Sequence, residues 1–231
     1  MFRRIFLTAL LAGAVAGLFA AGVQQLKLAP LIAAAEVYEA AEASAQPAHQ
    51  HDGKSDPAEW EPSPGWERTL YTLLADTLTG VGFALILTGC AALARLRGYP
   101  FDASRGMLWG AAGFAVFALS PTIGLPPELP GMVSAALAER QQWWLLAVVT
   151  TASGLALIAF VRLPALRIAG VVLLLLPHLI GAPQGGHGGG TVPPELAAQF
   201  ATASLATAAA FWLLLGAASG WLYRRFESVG G

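Results

Sequence analysis

The chain has 231 residues, of which 56% are hydrophobic and 12% charged, with a net charge of −1 and a mean hydropathy of +0.60. Soluble domains are not this apolar. The composition describes an all-α membrane protein, because lipid cannot hydrate exposed strand edges, and no nucleic-acid partner is expected.

Six apolar stretches follow in chain order, from Ile5 to Leu26, Leu70 to Leu93, Gly106 to Ile123, Trp143 to Val161, Ile168 to Ile180 and Leu196 to Leu222. A bilayer core of about 30 Å takes roughly 20 helical residues, so the reading is a bundle of six transmembrane helices. The first stretch, "MFRRIFLTALLAGAVAGLFAAG", also has the basic start, apolar middle and small residues near Ala20 of a secretory signal. Cleavage there would leave five helices. The fifth stretch is the shortest: from Arg167 to Gly181 a helix covers only about 20 Å at 1.5 Å per residue. It must be extended through Leu163, broken, or met by a thinner bilayer. The chain thus divides into residues 1–26 (helix or signal), an outer acidic and histidine-bearing loop at 27–69, and a five-helix bundle at 70–231. The loop is expected to be helical to Ala45 and flexible from Gln46 to Pro64, where Pro, Gly, Ser and charge oppose a packed core.

Charge fixes the expected orientation. If the chain zigzags, Arg3, Arg4, Arg95, Arg97, Arg105, Arg162, Arg167, Arg224 and Arg225 share one side, nine of thirteen cations, while twelve of fourteen acids lie opposite. Basic loops stay inside, so both termini are expected in the cytoplasm.

The odd-numbered helices approach their outer ends with a proline each: "LKLAPLI" at 26–32, "ALSPTIG" at 118–124 and "LLLPHLIG" at 174–181. The last two are followed by the same "PPEL", at 126–129 and 193–196. Three parallel helical-hairpin repeats would account for this; ordinary helix ends would too. Interrupted helices at matching positions mark transporter sites, which directs attention to Pro121 and Pro177. Gly13/Gly17, Gly106/Gly110 and Gly216/Gly220 make GxxxG steps that let helices approach. Trp66, Tyr71, Trp109, Trp143, Trp144, Trp221 and Tyr223 flank helix ends and read as interfacial rings. Cys90 has no partner for an internal disulfide and reads as packing.

Histidines 49, 51, 178 and 187 all fall on the outer side or its boundary. Imidazole with carboxylate suits borderline divalent ions, and without a thiolate cluster no tight structural zinc site is expected. "HQHD" at 49–52 reads either as a loose collector or as a solvated loop, and "GGHGGG" around His187 as a swinging ligand or a linker. An ionisable group at membrane depth faces a cavity or a partner, which singles out His178. Pro177 lacks an N–H and disturbs a preceding carbonyl, so free backbone oxygens are expected beside that imidazole. Asp76 lies on a polar, small-sided stripe with Thr69, Thr72, Thr79 and Gly80. Glu128 and Glu195 fit metal capture or helix capping equally. The candidate metal ligands are therefore His178, Glu195, Glu128, Asp76, His49, His51, Glu36 and Glu39.

Taken together, "EVYEA", "GWERTLYTLLADTLTGVGFALIL", "GLPPELPG" with "RQQWW", "LPHLIGAP" and "VPPELAAQF" through "SGWLYRR" resemble the CbtA-type probable cobalt transporter subunits over nearly the whole chain. Glu36, Tyr38, Glu39, Trp66, Glu67, Arg68, Glu128, Pro177, His178 and Glu195 are the positions that match. The resemblance implies an inner-membrane component of cobalt uptake for cobalamin synthesis, working with a small single-helix CbtB-type subunit that has a histidine-rich tail. It also implies a transported divalent cation, cobalt, rather than a tightly bound cofactor; self-association into a homo-oligomer is compatible with it. In this reading outer His and acid groups collect the ion and pass it to a site near His178. A non-transporting sensor or assembly subunit that docks the histidine-rich partner is the alternative. No enzyme is expected. The chain has no P-loop to hydrolyse ATP, only one intramembrane histidine where haem wants two, and no GxSG-like serine motif.

Overall fold

The computed structural model describes residues 1–45, 62–63, 65–185 and 190–229. Among these every regular element is helical: α1 (Phe2–Val23), a π-helical turn π1 (Gln24–Leu28), α2 (Ala29–Ala45), α3 (Trp66–Arg95), α4 (Ala103–Phe114), a second π turn π2 (Ala115–Leu119), α5 (Ser120–Gly124), α6 (Leu137–Phe160), α7 (Pro164–Ile180) and α8 (Pro194–Val229). Five helical runs are long and apolar enough to cross a membrane, Phe2–Ala41, Trp66–Arg95, Ala103–Gly124, Leu137–Phe160 and Pro194–Ser228; α7 is apolar but shorter. Its 17 residues rise about 25 Å, so it does start ahead of Arg167, with Pro164 at its first turn, where a missing N–H costs nothing.

Small residues decide which helices pair. α1 lies along α3, α4 along α8, and α6 along α7, with α1 also against α8. A Cβ added to Gly13 would overlap Val81 and Gly80 of α3, and one on Gly17 would strike the backbone of Asp76 and Thr77. Gly106 and Gly110 meet Gly216 backbone to backbone, and Gly154 meets Gly170. All three GxxxG steps thus sit at helix contacts, the Gly106/Gly110 step facing the Gly216/Gly220 step. The face of α1 turned to this packing is fully buried at Thr8, Ala9, Ala12, Ala16 and Ala21. Loss of α1 would uncover the matching small residues Ala84 and Ala91 of α3.

None of Pro30, Pro121 and Pro177 breaks its helix. Pro30 and Pro121 each stand two residues after a π turn, and both are carried into the helix that follows. A proline cannot donate to the residue four back, and its ring crowds that carbonyl; a turn one residue wider relieves both problems. Pro177 lies inside α7 and is fully buried, and the helix closes through the Gly181 N–H donating to the Pro177 carbonyl. The disturbance expected there is confined to the last turn.

The bundle has a terminal end and a far end. At the terminal end Glu227 of α8 pairs with Arg4 of α1 at 3.0 Å and with Arg95 of α3 at 2.8 Å. Both guanidinium groups stack over Tyr223, whose hydroxyl accepts a hydrogen bond from Arg4. Tyr223 is 1% exposed and Trp143 6% exposed, so neither is the interfacial ring its position suggested. Tyr223 lies beneath the Arg4 and Arg95 guanidinium groups, and Trp143 packs over Gly124 and against the His178 ring. At the far end, α2, the 125–136 segment and residues 190–192 meet around Ala35, Leu129 and Val192. The helix runs to Ala45 as expected from sequence; most of 46–64 lies outside the described residues.

Candidate functional site

His178 stands near the end of α7, half-buried, where α5 and α6 converge. Its Nε2 is 3.4 Å from the Ser120 hydroxyl oxygen. Ser120 in turn accepts a hydrogen bond of 2.8 Å from the Thr151 hydroxyl of α6. The Trp143 indole meets the imidazole edge-on at 6.2 Å between ring centres, and its Nε1 is buried with no hydrogen-bond partner. Ser120 and Thr151 are 7% and 3% exposed. With Thr151 donating to Ser120, the Ser120 hydroxyl is free to donate to Nε2, which then acts as the imidazole's acceptor nitrogen. Hydroxyl and imidazole thus form a short polar chain joining three helical segments. Among the described residues no carboxylate is hydrogen-bonded to this chain of groups. The side chains that meet His178 escaped the sequence reading. The one signal was the serine of "ALSPTIG", adjacent to the proline aligned with Pro177.

A second polar locus lies between α1–α2 and α3. A cavity of about 350 Å³ is lined by Gln24, Gln25, Glu36, Arg68, Thr69 and Thr72, together with apolar residues. The π1 turn supplies both glutamines. Arg68 donates to Glu36 at 3.3 Å at one end of this cavity. At the other end the Gln24 side-chain amide is the polar neighbour of the Asp76 carboxyl group. One oxygen of that carboxyl, Oδ2, is buried without a partner. Asp76, Thr72 and Thr69 share a face of α3, as their spacing indicates.

The other sequence candidates are distributed. Glu128 pairs with Arg140 at 3.0 Å and accepts a hydrogen bond from Ser134, which ties the 125–136 segment to the start of α6. Glu39 is exposed on α2, and its Cβ faces Gly131. Glu195 is exposed in the first turn of α8, where its charge favours the helix N-terminus. His49, His51 and His187 lie outside the described residues. Among the described residues no three His, Cys, Asp or Glu side chains come together as a metal-sized group. His178 and Asp76 belong to different helix groupings, α5–α6–α7 and α1–α3.

A third feature is an open groove of about 770 Å³ along α8, lined by Lys27 and Leu31 on one wall and by Ala198, Gln199, Thr202 and Ala206 on the other. A helix wall this smooth admits a second helix closely.

The family model "Probable cobalt transporter subunit (CbtA)" matches residues 2–224. The chain belongs to the CbtA family. No curated protein and no solved structure matches it. Membership makes this CbtA chain a subunit of a cobalt transport system, with a transported cation in place of a cofactor. The helical, multi-pass architecture agrees with that role. The match takes in both loci, from the π1 turn and Asp76 to Ser120 and His178.

Proposed function

We propose that this CbtA-family protein is the inner-membrane subunit of a bacterial cobalt uptake system, crossing the membrane six times with both termini in the cytoplasm. The far end is then the outer face. The observation that carries the reading is His178, a half-buried imidazole held by Ser120 near the far end of a chain whose family is one of cobalt transport. Metal arriving at the outer face meets Glu36, Glu39, Glu128 and Glu195 and the histidines 49 and 51, and is handed to His178. Asp76 is the deepest candidate ligand on the route. Imidazole nitrogen suits cobalt. Binding through Nε2 replaces the Ser120 proton, so Ser120 acts as the placeholder that keeps the ring oriented in the empty site. An inside-negative potential favours the inward movement of a cation by about 2.3 kcal/mol per charge per 100 mV.

A small single-helix subunit of the CbtB type fits the groove beside Lys27 and α8, and its histidine-rich tail would deliver metal to the same face. Several copies of the chain in one complex are compatible with this arrangement. The groove equally favours a second reading, a docking or sensing subunit that carries no ion itself. Labelled-cobalt uptake in cells expressing the chain with its partner separates them. His178→Ala is expected to lower uptake at least tenfold with folded protein still in the membrane. Unchanged uptake would remove His178 as a ligand, and absence of any metal-dependent uptake would leave the docking reading.

A further inference from the structure

We propose that the polar cavity walled by π1, α2 and α3 binds one monovalent alkali cation through neutral oxygen ligands. On the transport reading above, on which this coupling rests, the gradient of that cation drives cobalt movement.

The π1 turn supplies the first ligand. A helical carbonyl accepts from the N–H four residues on, or five residues on in a π turn, and the Ala29 N–H is given to the Gln24 carbonyl. The Gln25 carbonyl is left with position 30, which is proline and has no N–H. It therefore lacks a donor within its own helix. Helical carbonyls point along the axis toward the C-terminus, and Gln25 and Ala29, one turn further on, both line the cavity. A backbone oxygen released in this way takes water or a cation.

The α3 wall offers acceptors as well. Thr69 donates its hydroxyl proton to the Gly65 carbonyl at 3.1 Å, and Thr72 donates to the Arg68 carbonyl at 2.9 Å. With both protons committed to backbone, these hydroxyls present only lone pairs. Gln24 and Gln25 add their side-chain amide oxygens. Oxygens of this kind are hard ligands, and carbonyls freed from interrupted membrane helices hold sodium and potassium.

Charge selects the valence. The ionised groups among the lining residues are Glu36 and Arg68, which pair with each other at 3.3 Å, so the wall is neutral. Lys27, in the same turn as the glutamines, lines the separate groove against α8. A divalent ion wants carboxylates or imidazoles around it, whereas neutral dipoles suffice for a single charge. The volume of about 350 Å³ leaves room for the ion with part of its water shell.

The test is equilibrium binding of radioactive sodium to the purified full chain in lipid, with choline replacing sodium at constant ionic strength and potassium as competitor. One saturable equivalent is expected, displaced by unlabelled sodium or potassium and not by choline. Thr72→Val removes a lone-pair donor and Pro30→Ala returns an N–H to the turn; each should weaken binding roughly tenfold. Alanine is a better helix former than proline, so the second variant loses the ion without losing the helix. Absence of saturable binding in the wild type overturns the site, as does unchanged affinity in both variants. Displacement of sodium by one equivalent of cobalt also overturns it, since the cavity would then be a cobalt site. In vesicles holding the chain and its partner at clamped membrane potential, an inward sodium or potassium gradient should raise labelled-cobalt uptake several-fold in the wild type and leave Thr72→Val at the gradient-free rate. Wild-type uptake that ignores both gradients overturns the coupling. Saturable sodium binding in vesicles that take up no cobalt refutes the transport reading, and the coupling with it, while supporting the site.

Discussion

At Gln24–Leu28 and again at Ala115–Leu119 the chain makes a wide turn two residues ahead of a proline, and the same backbone device ends in two chemical settings. The first turn carries glutamines and faces α3, so it becomes the wall of a polar cavity, and its Gln24 is also the polar neighbour of Asp76. The second carries Val116 and Phe117, which pack inward, Val116 buried and Phe117 stacked on Trp212. The serine after it faces two polar partners, Thr151 and His178. A widened turn makes room for a proline, and the side chains it carries and the helix it faces decide whether that room becomes a cavity or a seam.

The two settings can be disrupted separately. The largest effect is expected from Gly17→Leu, whose side chain has no space against the Asp76 and Thr77 backbone. Backbone does not yield as a side chain does, so the loss of stability should reach about 3 kcal/mol or more. A thermal melt in detergent would show it, with the first setting lost. A melt matching the wild type would mean that α1 and α3 are not held at this distance. Gly124→Val tests the second setting, because its Cβ enters the space of the Trp143 ring. The indole can tilt, so a cost of about 1–3 kcal/mol should appear together with changed Trp fluorescence. Unchanged fluorescence would place Trp143 elsewhere.

Ser120→Ala is subtler. It removes the hydroxyl that joins Thr151 to His178, at a cost of about 1 kcal/mol, and should shift the His178 ring resonances in NMR spectra of the labelled chain. The smallest effect is expected at Glu227→Gln, remote from both settings. Its pairs with Arg4 and Arg95 are partly exposed, and such pairs contribute no more than about 1 kcal/mol, further screened by salt. A larger loss, insensitive to salt, would mean that the terminal end governs the far end.

Much of the helical plan is legible in the sequence because lipid leaves a chain few choices. An apolar run of sufficient length must be a helix, and a glycine pair four residues apart marks a close helix contact. The continuation of the first helix to Ala45 was legible as well, in the alanine-rich "IAAAEVYEAAEASA", since alanine is the strongest helix former. The π turns were not legible: their residues carry no signature apart from the proline that follows. The burial of Trp143 and Tyr223 was hidden too, because an aromatic ring near a helix end suits the interface and the interior equally.

The candidate site divides along the same line. Sequence by itself determined that His178 and Asp76 lie on apolar helices, since this follows from hydrophobic length and position along the chain. Tertiary structure alone decided their company. Ser120 is 58 residues from His178, Gln24 is on a different helix from Asp76, and Glu128 is paired with Arg140. Such contacts depend on which helix lies beside which. That choice is made by the fit of small residues across whole interfaces, which no local stretch of sequence contains.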